Sequence, residues 1–209
     1  MGWLDSLWGM NDAGLEHPLA GPGSSLVAWF QVGVDPVPGD RPLPVQPFLR
    51  CAGDVTARFG ALRLQAVQVL LPVQSLDVTA CPQHPRMPSL STAAWFDDVR
   101  SATPVHVTVD SGRDPVVPGA AQRMFHWLGR LRQNVFRCDS LTERDPLPPV
   151  LPDTAWPGPP RHRVTFQGEL AEWSLDTIGW LGGFLADLAA REGAGVPLLF
   201  TVSRSALPR

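Results

Sequence analysis

Residues 162–203 read HRVTFQGELAEWSLDTIGWLGGFLADLAAREGAGVPLLFTVS, and within them the local signal changes from strand to helix and back. His162 to Leu170 has the β-branched and aromatic content of a strand. Ser174 is a good N-cap with Asp176 in the first turn, and Leu175, Ile178, Leu181, Leu185 and Leu188 then recur every three to four residues. Gly193 and Gly195 stop the helix, and Pro197 to Ser203 returns as a strand. The stretch predicts a strand–helix–strand unit, and Gly179 and Gly183, four apart on its helix, allow another backbone to come close there.

Residues 26–73 carry the same order. Leu26 to Val34 is rich in β-formers, and a Pro/Gly cluster over 35–44 follows. Phe48, Ala52, Val55 and Phe59 then mark a helix from Gln46 to Phe59 that stops at Gly60. Arg50, Asp54 and Arg58 line its polar side, and Leu62 to Val73 reads as the next strand. Between the two units lie a proline-rich loop over Thr79–Leu90 and strand candidates at Thr92–Val99 and Pro104–Asp110. In the second candidate Val105, Val107 and Val109 alternate with His106 and Thr108. A helix over 119–137 follows, with Ala121, Met124, Phe125, Leu128, Leu131 and Val135 as its apolar stripe. Residues 139–160 read as a proline-rich strap.

The expected fold is an α+β or α/β sandwich, a mixed or mostly antiparallel sheet with about three helices. A duplicated ferredoxin-like arrangement is its most specific version. Residues 1–25 form a separate aromatic arm and linker ahead of a single α/β domain over 26–209. If residues 2–10 are helical, Trp3, Leu4, Leu7 and Trp8 share one face, opposite Asp5 and Ser6.

Composition removes several chemistries. The chain has 17 Arg and no Lys or Tyr, which excludes Schiff-base and PLP chemistry and a phenolic acid or base. Gly, Ala, Arg and Pro together supply 79 of 209 residues, the signature of a GC-rich, bacterial coding genome. The three cysteines sit in no CxxC pair, and neither a long apolar run nor a secretory leader is evident, so a reduced cytoplasm is the expected setting. Cys81 and His84 have the spacing of half a zinc site without a second half, and no metal or cofactor is expected.

Candidate residues fall into three groups. For an enzyme, His106 with Asp97 and Asp110 at strand positions would be the catalytic set, in a cavity also lined by Trp95 and arginine. For anion binding, Arg123, His126, Arg130 and Arg137 make a ridge along the 119–137 helix; the alternative is a solvated or internally paired face, with Asp139, Glu143, Asp97 and Asp98 as counter-charges. Nucleic acid is not the expected partner, because the formal charge is −3 and the pI about 5.9. For interaction, Trp3, Leu4, Leu7 and Trp8 of the arm, with Trp127 and Trp180 beside their helices' core stripes, offer amphipathic contact area. No GxSxG elbow or other catalytic motif is present. The leading expectation is a non-enzymatic cytoplasmic assembly protein that self-associates or docks into a larger complex through its Trp-rich arm. A membrane surface is the alternative partner for residues 2–10. A cofactor-independent small-molecule enzyme or binding protein of specialised metabolism is the rival function.

Overall fold

The computed structural model describes residues 10–12, 30–33, 35–39, 41–58, 60–61, 64–77, 85–86, 88, 102–131, 133–143 and 162–205. In chain order these contain β1 (Met10–Asp12), β2 (Phe30–Val32), α1 (Val45–Ala57), β3 (Ala66–Leu71) and a 3₁₀ turn (Val73–Ser75). They continue with β4 (Thr103–Asp110), α2 (Val116–Arg130), β5 (Phe136–Thr142), β6 (Arg163–Leu170), α3 (Leu175–Arg191) and β7 (Leu198–Arg204). No helix among the described residues is long and apolar enough to cross a membrane.

The main sheet is antiparallel throughout, in the order β3-β7-β4-β6-β5. From β4 onward the chain runs β4-α2-β5-β6-α3-β7, which is the split βαβ arrangement. The fold is therefore α+β, with β4 to β7 and their two helices making one such unit. The first half of the chain adds an edge strand, β3, and a helix, α1, to it.

Alternation along the strands separates the two faces of the sheet. Val105, Val107, Val109, Val164, Phe166, Phe200 and Val202 are buried and join one apolar core with the inner residues of all three helices. The opposite face carries Gln68, Leu70, His106, Thr108, Thr165, Gln167, Leu199 and Thr201, which the strand registers place side by side. Thr108 and Thr165 share a hydrogen bond of 2.9 Å there, and Gln68 Nε2 donates to Thr201 Oγ1 at 2.9 Å.

α3 lies between the sheet and α1, and this explains a helix whose residues 177–190 are all buried: a helix apolar on every side needs cover on every side. Ser174 caps it as expected, its Oγ accepting from Thr177 N at 3.2 Å. Glycines set the spacing. A Cβ at Gly179 would stand 2.6 Å from Gln46 Cα, and one at Gly183 would stand 2.9 Å from Leu43 O. The close approach expected at these two positions is thus made by the chain's own α1 and the loop before it. Asp176, one turn before Gly179, ties the same two helices, accepting from Arg50 Nε at 2.7 Å and Gln46 Nε2 at 3.3 Å.

Inside this packing sits a charge. Asp187, on the buried length of α3, has no solvent exposure and accepts from Arg86 Nε (2.7 Å), Arg86 N (2.8 Å) and Arg191 Nε (2.6 Å). Arg86, with a side chain 3% exposed, spreads its remaining N–H groups over carbonyls of Gly39 (2.7 Å), Arg41 (3.1 Å) and Asp77 (3.1 Å). A lysine has no planar fork to do this. Two irregular segments are thereby fastened to α3.

Three expectations need correction. The helix predicted to reach residue 137 ends at Arg130, and the following residues turn into β5, where a strap was expected from 139. The Gln133 side chain makes the turn by accepting from Val135 N and Phe136 N. Pairing with β6 then outweighs the helical preference of the local sequence. The strand expected over Leu26–Val34 is described only at β2, which pairs with β1, so residues 10–12 of the expected arm are bonded to the body's first strand. Among the described residues the strand expected over Leu62–Val73 is β3, which ends at Leu71, ahead of Pro72. The strand candidate at 92–99 lies outside the described residues.

Two predictions follow from this packing. Gly179→Ala is expected to destabilise the protein by about 1–3 kcal/mol through overpacking. Gly119→Ala on the exposed side of α2, where an added Cβ meets nothing within 4 Å, is expected to be neutral or stabilising. Thermal melts check the pair, each kcal/mol moving the midpoint by about 2–4 °C at this size. In urea titrations Arg86→Met should cost about 3–5 kcal/mol, because it leaves a buried carboxylate short of a cation and orphans carbonyls. Arg50→Ala, which removes a solvent-screened pair, should cost under about 1 kcal/mol.

Candidate functional site

At one end of the sheet the residues leading into β3, the last residue of β7 and the N-terminus of α3 border a half-open hollow of about 470 Å³. It is lined by Leu64, Gln65, Trp173, Ser174, Leu175, Ile178 and Arg204. The sequence reasons for its shape are local. The turn after β6 brings Trp173 to the position just before the cap residue Ser174, so its ring lies at the mouth of the helix and not in the core stripe. Its indole N–H is held by Leu64 O at 3.1 Å. The exposed Arg204, on the last residue of β7, lays its guanidinium over the ring, 4.9 Å from the centroid, a contact worth about 0.5–1 kcal/mol at an exposed site.

The hollow therefore has an apolar floor from Leu64, Leu175 and Ile178, an aromatic wall, and one positioned cation. Among the described residues that line it there is no nucleophile beside a base and no pair of carboxylates. Ser174 is committed to its cap, its Oγ hydrogen-bonded to Thr177 Oγ1 at 2.8 Å. Among the described residues no group of three His, Cys, Asp or Glu is arranged to hold a metal ion.

The residues singled out from sequence are dispersed. His106 is half-buried on the second face of the sheet, its Nε2 3.3 Å from Ser205 Oγ, and it does not line the hollow. Asp110 is buried at the end of the same strand and serves the turn into α2, where its Oδ1 accepts from Gly112 N at 2.7 Å. Gly112 has φ +64°, so the turn needs both residues. Four residues along one strand place His106 and Asp110 about 13 Å apart, too far to exchange a proton. Asp97 and Trp95 lie outside the described residues, as do Trp3, Leu4, Leu7 and Trp8 of the arm, and Cys81 and His84.

The arginine ridge is broken by the early end of α2. Arg123, His126 and Arg130 remain on its exposed side, but Arg137 stands on β5, paired with Glu169 at 2.6 Å and Asp139 at 3.5 Å. Arg123 bonds Glu192. Of the acids expected as counter-charges, Asp139 is in place, while Glu169 and Glu192 come from distant parts of the chain. Trp127 is half-buried against the core. Trp180, expected at a contact surface, is instead completely buried, because α3 has no free side once α1 covers it. Its ring packs on Phe184 at 5.3 Å, and its N–H meets no acceptor among the described residues.

Sequence reading missed both Trp173 with Arg204 and Arg86 with Asp187. Signals for each existed: a tryptophan immediately before an N-cap serine, and one acid inside an otherwise uncharged helical run. Neither signal names the distant partner.

Cys138 sits at a bulge in β5, its Sγ directed at the carbonyls of Ser140 (3.6 Å) and Gln167 (3.7 Å). Burial, with the Asp139 carboxylate adding to it, pushes the thiol up to about 12. It is therefore protonated and unreactive at neutral pH.

Comparison of the chain with protein-family models, with curated proteins and with solved structures finds no match. Among the described residues, fold and site together define an α+β protein with three helices over one face of its sheet and a half-open hollow at one corner.

Alkylation supplies a check. At pH 8, iodoacetamide is expected to modify the exposed Cys51 and leave Cys138 intact, with modification at Cys138 appearing only above about pH 11 or on unfolding. Peptide mass mapping reads the two sites separately, and equal labelling at pH 8 would contradict the assignment.

Proposed function

We propose that this chain is a non-enzymatic binding and assembly protein, held to its partners through the tryptophan-bearing N-terminal arm and through the corner that Trp173 and Arg204 line. The observation that carries the reading is the corner itself. Tryptophan and arginine are the side chains most often dominant at protein contacts, and here they are stacked beside a half-open hollow of mixed polar and apolar lining. The separation of His106 from Asp110, and of both from the hollow, argues against the small-molecule enzyme that those residues would have served. A cytoplasmic setting and a protein partner or second copy belong to the same reading.

Solution mass is the test, measured by light scattering across protein concentration on the full chain, on a chain lacking residues 1–12, and on Trp173→Ala. The reading expects the full chain to exceed its single-chain mass of 22.7 kDa and at least one of the two variants to fall toward it. A monodisperse monomer at every concentration, unaltered by either change, overturns it.

A further inference from the structure

The two edges of the main sheet are treated differently. β5, at one edge, carries Arg137 and Asp139, forms ion pairs, and is kinked by a register shift between Cys138 and Ser140. Charges and bulges are the usual devices by which an edge is kept from pairing with another chain. β3, at the other edge, is AVQVLL: no charge, no proline within it, and an unbroken register with β7. Among the described residues nothing pairs with its outer side. Leu70, 50% exposed, is also the large hydrophobic residue left most open to solvent among them.

Backbone geometry tells which groups face outward. Arg204 N donates to Gln65 O at 3.0 Å, and these two residues continue the register that sets Ala66 opposite Ser203. In an antiparallel pair such bonded positions alternate with unbonded ones. Val67, Val69 and Leu71 therefore spend their N–H and C=O on β7, while Ala66, Gln68 and Leu70 turn theirs to the open edge.

We infer that β3 pairs with β3 of a second copy of this chain, antiparallel, about a two-fold axis at Gln68. The proposal rests on the assembly reading above and names its partner and surface. The outward groups are self-complementary under that axis. Ala66 of one copy falls opposite Leu70 of the other, Gln68 falls opposite Gln68, and each such pair exchanges reciprocal N–H···O bonds. The cross-strand neighbours are all uncharged, so no repulsion opposes the register. The largest exposed side chain, Leu70, is covered by the same step. The two sheets become one. A single short ladder is smaller than a standard interface, so the dimer is expected to dissociate on dilution.

The experiment exchanges charge at the axis. Gln68→Glu and Gln68→Lys each place like charges opposite each other and are expected to reduce the concentrated protein from twice 22.7 kDa to the single-chain mass. Mixing the two in equal amounts is expected to restore the dimer, which also shows that both variants are folded. In the unmodified chain, amide exchange read residue by residue should slow with concentration at Ala66, Gln68 and Leu70 and stay unchanged at Val67 and Val69. If the chain oligomerises yet either variant keeps its mass, or the three amides stay unprotected, the β3 pairing is wrong and the assembly reading stands. If the unmodified chain is a monomer at every concentration, the pairing fails as well.

Discussion

A carboxylate with no exposure to solvent stands in the most buried helix of the protein, answered by two guanidinium groups and a backbone N–H. Asp187 is expensive to bury, and Arg86 offsets the cost only by bringing its own hydrogen-bonding needs inside. Those needs are met by carbonyls of residues 39, 41 and 77, in segments without regular structure. The exchange is reciprocal. Irregular backbone, which would otherwise leave polar groups unpaired near the core, receives donors, and the charge in α3 receives a cation.

Position matters because α3 is the layer on which the others rest. The sheet packs on one side of it and α1 on the other, so every kink in its axis would be felt twice. Glycine at 179 and 183 lets α1 and the preceding loop settle against its backbone, and Gly182 admits the ring of Phe200 from the sheet side, where an added Cβ would stand 3.2 Å away. Glycine in a helix loses conformational entropy on folding, and here contact on both sides compensates for it. Features that look like surfaces awaiting a partner in isolation, the glycine pair and Trp180, are the means by which one chain closes on itself.

Among the described residues, what is left open to solvent lies in places the core does not use. The corner at Trp173 and Arg204 exists because the last residues before α3 and the last residue of β7 overshoot the packed interior. The open side of β3 exists because the strand is added outside the split βαβ unit. Both are consequences of extending a small fold at one flank, and both lie at the same end of the chain's architecture, Leu64 and Gln65 leading directly into β3.

Much of this was legible in the residues. The strand–helix–strand of 162–203, the helix near 46–57, the alternation of Val105, Val107 and Val109, and the cap at Ser174 follow from apolar period and turn chemistry, which act over a few residues and leave a local trace. What the sequence alone determined is the strand of 104–110, the strand–helix–strand of 162–203 and the α+β class that they imply. Only the tertiary structure decided that α2 yields to β5 after Arg130, that Arg137 joins Glu169 and not a helical ridge, that Trp180 is interior, and which acid meets Arg86. These depend on residues up to 101 positions apart. A pairing of that kind is fixed by the free energy of the whole packed arrangement, and no window of neighbouring residues contains it.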